Sequence, residues 1–249
     1  FQGVTLTGAV FDGATGNGTI FTGVTATGAS FQAQASFPSS IFDSADLAGS
    51  SFDGANLSQA SFLSAELQKA TFDQADLTSA QLDGADLTSA SFAGASMMRA
   101  TLTGAVLESA NLTGAILGGQ DSTDAADLSF AYMANVTLDQ ANLFGVNAPS
   151  VTLFGASVSI ASPATMEQVN FSNAYLEGIQ ISGAVMRGAK LDGACLIGVT
   201  LTDVDLSPSG DGSLRSSLTG ACLQGAQVEG TTTVADADLT NAGVSFANG

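Results

Sequence analysis

The sequence predicts an all-β solenoid built from one short repeat, and three observations lead to that class. Large apolar residues recur every five positions over most of the 249 residues. A period of five fits neither the 3.6-residue period of an α-helix nor the two-residue period of a strand. Glycine, threonine and valine, which disfavour helix, occur throughout. Short extended segments that alternate with turns satisfy these observations, because each unit can bury its apolar face only against its neighbours.

The longest uninterrupted run of the repeat begins at Phe42 and ends at Leu117. A small residue, usually alanine, stands two positions before each large one. The large residues are Phe42, Leu47, Phe52, Leu57, Phe62, Leu67, Phe72, Leu77, Leu82, Leu87, Phe92, Met97, Leu102, Leu107, Leu112 and Leu117. The pattern extends along the chain with breaks near 32–41, 118–127, 159–165, 207–217 and 229–233. We therefore predict a single solenoid domain over residues 1–249.

Many quintets carry Asp or Asn between the small and the large residue. The best examples are Ala45-Asp46-Leu47, Ala55-Asn56-Leu57, Ala75-Asp76-Leu77, Ala85-Asp86-Leu87, Ala110-Asn111-Leu112, Ala141-Asn142-Leu143 and Ala237-Asp238-Leu239. These units resemble the pentapeptide repeat family, whose units read A(D/N)Lxx. The resemblance implies a right-handed quadrilateral β-helix with four quintets per coil. About 45 quintets would then make about eleven four-sided coils, in a rod on the order of 50 Å long.

Four quintets per coil would place residues twenty positions apart on one wall. Asp46, Glu66 and Asp86 would then form an acidic ladder with steps of about 5 Å, and Asp53 and Asp73 would stack on the next wall. A solvated acidic face is one interpretation. The other is a row of carboxylates that imitates a phosphate backbone, since the family that the chain resembles includes DNA mimics that bind type II topoisomerases.

The charge balance excludes several classes of function. The chain has 23 Asp and Glu against 5 Lys and Arg, no His, and a net charge of −18. Five cationic side chains cannot neutralise a row of phosphates. We therefore expect neither direct nucleic-acid binding nor attachment to an anionic membrane. No apolar run approaches the length of a membrane span. The sequence also has no GxxxxGK loop and no Cys–His or Ser–His pair, and we predict that the protein is not an enzyme.

Cys195 and Cys222 each directly precede a large central residue, Leu196 and Leu223. Counting quintets across the 207–217 break places the cysteines one coil apart, if the break replaces no face. Their Cα atoms would then lie roughly 5 Å apart, within disulfide range. A disulfide would favour an oxidising, extracellular location. The alternative is two separate small residues.

The break at 118–127 carries three carboxylates, Asp121, Asp124 and Asp127. Calcium is a hard cation that takes carboxylate ligands, so these residues are a candidate calcium site. Their spacing matches neither an EF-hand loop nor a calcium-binding nonapeptide, and a solvated loop is the alternative. We expect no other cofactor.

Both ends of the repeat lack an evident capping helix. Phe1 and Leu6 at one end, and Leu239 and Val244 at the other, are already large central residues of the repeat. Bare solenoid ends expose apolar core and unpaired strand edges. The chain is therefore either cut from a longer solenoid or stacks on other copies of itself. Such a heterologous contact builds an open filament when the rotation does not close.

We therefore expect a non-catalytic structural protein that self-assembles head to tail into an extracellular filament or surface scaffold. Few lysines with many Ser, Thr, Ala and Gly suit a secreted structural protein, and acidic sides would keep such rods apart. The alternative is an acidic DNA-mimic module that binds a DNA topoisomerase of gyrase type, which would place the protein in the cytoplasm.

Overall fold

The computed structural model describes residues 1–119, 122–158, 164–202, 204–209, 212, 214–223 and 227–229, which wind into a β-helix. Parallel bridges join each coil to the next, as in the pairs Asp46–Glu66 and Ser51–Thr71. Bridge residues recur every fifth position, and a turn separates each from the next. An uninterrupted coil of 20 residues therefore contains four bridges and four turns.

Four short strands form one parallel sheet in the described part of the chain. They are β1 (Ser157–Val158), β2 (Gln180–Ser182), β3 (Thr200–Thr202) and β4 (Gln227–Glu229). These strands pair in that order, and every pairing is parallel. A 3-10 helix covers Ser122–Asp124. Within the described residues, no helix is long and apolar enough to cross a membrane.

In most of the described quintets, the chain changes direction at a tight turn that is closed by a hydrogen bond between two of its own backbone groups. In quintet 55–59, Ala55 and Leu57 are buried and Asn56 forms the bridge. Gln59 has a φ of 61°, because the third position of a type II turn requires positive φ. The amide of Ala60 closes the turn by donating to the carbonyl oxygen of Leu57 at 3.0 Å. The last position of a quintet is therefore usually Gly or a polar residue that tolerates this conformation, and Phe130, with a φ of 60°, is an exception.

Phenylalanine rings stack in two columns through the first half of the β-helix. One column contains Phe21, Phe42 and Phe62, with neighbouring ring centroids 4.7 and 4.8 Å apart. The other contains Phe11, Phe31, Phe52, Phe72 and Phe92, with centroids 4.7 to 5.0 Å apart. Rings of the two columns meet edge to face, as Phe42 and Phe52 do at 6.0 Å. Both geometries suit the ring quadrupole, so the columns add to the stability that burial supplies.

The first break in the repeat is narrower than the sequence suggested. One additional residue is accommodated at the turn of Ala33 and Gln34, both of which have positive φ. Phe37 is therefore already a buried central residue. Its ring fills the space beneath Gly16, where an added Cβ would lie only 2.9 Å from a ring carbon. The apparent gap at Gly16 is thus filled by a larger residue on the next coil.

The longer breaks lengthen single coils but leave the columns of bridge residues continuous. Across the 118–127 break, Thr101 pairs with Asp127. Across the 207–217 break, Lys190 pairs with Ser217. The walls therefore continue past both interruptions.

Candidate functional site: the acidic wall

A column of carboxylates runs along one wall of the β-helix. Asp46 pairs with Glu66, and Glu66 pairs with Asp86, as parallel bridge partners on successive coils. A buried leucine follows each of them in the chain, so the acidic side chains point outwards. Glu66 is exposed and the two aspartates are half-buried. We call these three residues the acidic column; its steps are those of neighbouring strands, about 4.8 Å.

Asp86 shows how an aspartate of this column is held. Its Oδ1 accepts hydrogen bonds from the Thr88 amide at 3.0 Å and the Thr88 hydroxyl at 2.6 Å, and its Oδ2 accepts one from Gln68 Nε2 at 2.7 Å. Asp46 accepts the Ala48 amide at 3.3 Å. In such Asx turns a short side chain bonds the backbone two residues ahead.

Asparagine takes the same role at equivalent positions in other quintets. Its Oδ1 accepts the amide two residues ahead at Asn56, Asn111, Asn142 and Asn170. The turn needs only an oxygen acceptor on a short side chain, which Asp and Asn both supply. This explains why the repeat accepts either residue before the central leucine. Many of the wall carboxylates therefore have a structural role.

These turn hydrogen bonds also favour the ionised form of two carboxyl groups. Burial raises the pKa of Asp86, but the hydrogen bonds from Thr88 and its other donor outweigh the burial and leave the pKa below the ordinary value. Burial likewise raises the pKa of Asp205. Hydrogen bonds from Ser207 and the Arg187 guanidinium, 2.8 Å away, bring that pKa below the ordinary value as well. Ionised Asp86 and Asp205 therefore stabilise the folded chain.

A second set of aspartates joins each coil to the next. Asp73 Oδ1 accepts the Ala93 amide at 3.0 Å and the Ser91 hydroxyl at 2.5 Å, both from the following coil. Asp53 Oδ1 accepts the amide of Asp73 at 3.1 Å. The same backbone contact recurs at Asp12, Asp43, Asp83 and Asp192. In an uninterrupted coil, the sequence signal for these contacts is a Ser or Thr 18 residues after the aspartate, which the period of five alone does not reveal. The 207–217 break lengthens this spacing to 25 residues between Asp192 and Ser217.

Asp53 and Asp73 also line an open groove of about 530 Å³. The rest of its lining is Ala33, Gln34, Gly54 and Gln74. The additional residue of the first break thus forms part of its rim. Carboxylates and amides border the groove, so its chemistry suits a cationic or hydrogen-bonding group of a partner.

The candidate calcium ligands are only partly described. Asp121 lies outside the described residues. Asp124 forms an ion pair with Arg99 at 3.5 Å, and Asp127 Oδ1 accepts the Ser129 amide at 2.9 Å. No group of three Cys, Asp or Glu side chains placed to hold a metal occurs in the part of the chain that the structure describes. Calcium binding at Asp121, Asp124 and Asp127 stays a prediction.

The structure brings the two cysteines together. Cys195 and Cys222 are parallel bridge partners on adjacent coils, and both thiols are free. The amide of Leu196 donates to the carbonyl oxygen of Cys222 at 2.7 Å, which holds the two coils in register there. Cys195 is half-buried and Cys222 is exposed.

Exposed aromatic residues form a feature that the period of five does not reveal. Phe130, Tyr132, Phe154 and Tyr175 are all exposed. Tyr132 and Tyr175 occupy the position that Asp or Asn takes in other quintets, so the sequence signal is an aromatic residue at that place. The wall of the acidic column continues through these positions, in the order Val106, Tyr132, Thr152, Tyr175, Cys195 and Cys222.

The residues proposed for end stacking are also only partly described. Phe1 is exposed, whereas Leu6 is partly buried against the core. Leu239 and Val244 lie outside the described residues. Of the four residues proposed for end stacking, the structure therefore describes only the two in the first coil.

Quintets that stack in register through parallel bridges define a β-solenoid repeat protein. A family model described as pentapeptide repeats matches 8 copies in residues 1–32, 40–78, 80–119 and 166–207. These matches cover more than half of the chain, which therefore belongs to the pentapeptide repeat family. The expected resemblance is thereby confirmed, together with the right-handed β-helix as its fold class.

Solved structures of similar repeat proteins show low identity to this chain. One is HetL, a pentapeptide repeat protein involved in heterocyst differentiation regulation from the cyanobacterium Nostoc. It is 24% identical to this chain, and the match covers 91% of this chain and 87% of HetL with a TM-score of 0.30. QnrB1, a plasmid-mediated fluoroquinolone resistance protein, is 19% identical, with 92% of each chain covered and a TM-score of 0.33. Scores this low support no argument about function. No curated protein sequence matches the chain.

Proposed function

We propose that this chain is a non-catalytic structural protein that assembles head to tail through the ends of its β-helix. The observation that carries the proposal is the exposure of core positions in the first coil. Phe1 is 56% exposed, although Phe21, which stacks on it from the second coil, is 1% exposed. Val4 is 43% exposed, whereas its counterpart Val24 is 1% exposed. Among the described residues, no coil packs against this apolar side of the first coil.

Backbone amides of the same coil also lack acceptors within the described part of the chain. The amide of Thr25 donates to the carbonyl oxygen of Val4, one coil earlier, at 3.1 Å. The amides of Thr5, Val10 and Thr15 have no such acceptor among the residues that the structure describes. A further β-helix coil would cover this surface, because it supplies apolar side chains and carbonyl oxygens in the matching register.

A second copy of the chain is the proposed source of that coil. Uninterrupted coils share one 20-residue register, so the two edges of a coil are complementary. Stacking of one edge on the other is a heterologous contact, which propagates into a filament when the rotation does not close. The net charge of −18 opposes side-by-side association of the rods. The location proposed for such a filament is extracellular or at the cell surface.

The same proposal includes a four-sided cross-section and a number of coils. Four turns in each uninterrupted coil support a four-sided cross-section. About eleven coils then give a rod on the order of 50 Å long, because each coil adds one strand spacing. A head-to-tail filament would carry an axial repeat near that length.

Electron microscopy of the purified protein, at neutral pH and moderate salt, tests the assembly. We expect fibres with an axial repeat on the order of 50 Å. Val4→Asp places a charge within the apolar end and should leave short rods. Val106→Asp makes the same change at an outward bridge position and should leave the fibres intact. Folded wild-type protein that remains monomeric or dimeric under these conditions would overturn the proposal.

A second candidate function uses the acidic column as an anionic surface for a DNA-binding protein, such as a topoisomerase. The observation that favours it is the regular spacing of Asp46, Glu66 and Asp86 on one wall. The groove beside Asp53 and Asp73 adds two carboxylates on another part of the surface. Such a partner would place the protein in the cytoplasm.

Competition with duplex DNA for binding to purified gyrase tests this second candidate. The variant Asp46→Asn, Glu66→Gln, Asp86→Asn removes the charge of the column but retains the Asx-turn acceptors. The second candidate requires competition by the wild-type chain and its loss in the variant. Filament assembly requires no such partner, and the variant should still form fibres. No competition by the folded wild-type chain would exclude the second candidate for this enzyme.

A further inference from the structure

The outward position of one wall carries a thiol on two adjacent coils. Cys195 and Cys222 are bridge partners, and the leucine after each is buried, so both thiols lie on the outside of the wall. In-register parallel strands place partner Cα atoms about 4.8 Å apart, which is within the 4.4–6.8 Å range of disulfides. We propose that Cys195 and Cys222 form a reversible disulfide that closes the coil carrying the 207–217 break.

The backbone around the pair is held in register on both sides. The amide of Cys222 donates to the carbonyl oxygen of Ala194 at 2.8 Å, and the amide of Leu196 donates to that of Cys222 at 2.7 Å. The disulfide therefore needs side-chain rotation and a small approach of the two Cβ atoms. These atoms must move closer by about 1 Å, from the strand spacing to the usual disulfide separation of about 3.8 Å. A link closed against such a restraint is more easily reduced than an unstrained structural disulfide.

Exposure assigns an order to the two exchange steps with a low-molecular-weight disulfide. The exposed Cys222 thiolate attacks one sulfur of that disulfide, forms a mixed disulfide and releases the first small thiolate. The half-buried Cys195 thiolate then attacks the Cys222 sulfur and releases the second small thiolate. The two protons from the cysteine thiols end on the two small thiols. The cysteine pair is oxidised by two electrons and the small disulfide is reduced by two, so the exchange balances.

The disulfide restrains the longest coil among the described residues. Its loop contains residues 207–217, where the five-residue rhythm is lost between Leu206 and Leu218. The segment is held there by local contacts, including the Ser209 amide to the Leu214 carbonyl oxygen at 2.7 Å and the Gly212 amide to the Ser209 carbonyl oxygen at 2.7 Å. A disulfide across the coil limits how far this segment opens when the neighbouring coils separate. Oxidation should therefore stabilise this part of the solenoid.

Thiol trapping of the full chain tests the proposal. The reduced protein is equilibrated with mixtures of reduced and oxidised glutathione, unreacted thiols are alkylated in denaturant, and tryptic peptides are measured by mass spectrometry. Cleavage after Arg215 separates the two cysteines unless a disulfide joins their peptides. We expect the joined peptides at oxidising ratios, at a rate independent of protein concentration. The oxidised chain should melt several degrees above the reduced chain.

Single variants test the assigned order and serve as matched controls. Cys195→Ser should accumulate a glutathione adduct at Cys222, faster than Cys222→Ser accumulates one at Cys195. The double serine variant should melt at the same temperature in oxidising and reducing buffers. Wild-type protein that carries adducts at both cysteines without joined peptides would overturn the proposal. A link whose formation accelerates with protein concentration would join two molecules and would also overturn it.

Discussion

Replacement of Asp86 by alanine or by asparagine separates the structural role of a wall carboxylate from its charge. Asp86 accepts hydrogen bonds at 3.0 and 2.6 Å from Thr88 and at 2.7 Å from Gln68. Alanine removes all three, but the donors lie near the surface, where water partly replaces the acceptor. By analogy with the loss of a helix cap, we expect a cost of about 1–2 kcal/mol in the free energy of unfolding.

Asparagine keeps the Oδ1 acceptor for the Thr88 amide, as Asn56 and Asn111 do in their own quintets. It also removes a like-charge contact with Glu66, which is worth up to about 1 kcal/mol in water at the strand spacing. We therefore expect Asp86→Asn to lie within about 0.5 kcal/mol of the wild type, since a lost charge-assisted bond and a relieved repulsion nearly offset each other.

Thermal unfolding followed by circular dichroism at neutral pH measures the difference. For a chain of this length, the alanine variant should melt about 2–6 °C below the wild type. The asparagine variant should melt within about 2 °C of it. Urea unfolding provides an independent measure of the same free energies. Equal losses for the two variants would refute the reasoning, because the charge rather than the turn acceptor would then carry the stability.

Two further predictions concern the core and the walls. Gly16→Ala should destabilise the chain by about 1–3 kcal/mol because its Cβ would lie 2.9 Å from the Phe37 ring and closer still to the Thr19 hydroxyl oxygen. Phe37→Leu should recover the part of that loss that comes from the ring contact, and a double-mutant cycle by urea unfolding that shows additive effects would contradict that contact. The lowered pKa values of Asp86 and Asp205 predict a contribution that is complete above about pH 4 and is lost as the pH falls through the folded-state pKa values. Melting temperatures measured from pH 5 to pH 2 should therefore fall less steeply for Asp86→Asn than for the wild type, and parallel profiles would exclude a contribution from Asp86.

The period of five was sufficient to predict which residues form the core. The large residues of the run from Phe42 to Leu117 are all buried, because a five-residue unit with one turn returns every fifth side chain to the interior. The same spacing predicted the stacking of Asp46, Glu66 and Asp86 as neighbours on one wall. The sequence also showed the Asp or Asn that precedes many of the leucines. It did not show that this side chain accepts a hydrogen bond from the backbone amide two residues ahead.

The breaks in the repeat were harder to interpret from sequence. The 32–41 break contains a single additional residue, and Phe37 remains in the core. The sequence shows where the rhythm is lost, but the point at which an inserted segment rejoins the wall depends on contacts with the coils on both sides. For the same reason, the inter-coil contacts of Asp73 with Ala93 and Ser91 could not be derived from one quintet.

The sequence by itself determined the family, the buried and exposed sides of each quintet and the acidic character of the walls, because these follow from composition and a local period. Only the tertiary structure decided which residues of different coils meet across a break in the repeat, a pairing that the sequence predicts only on the condition that the break replaces no face. Cys195 and Cys222 are partners because the wall keeps its register across the 207–217 break, where Lys190 pairs with Ser217. That register is set by hydrogen bonds between coils, which depend on the closure of every preceding turn and not on the spacing of residues within one quintet.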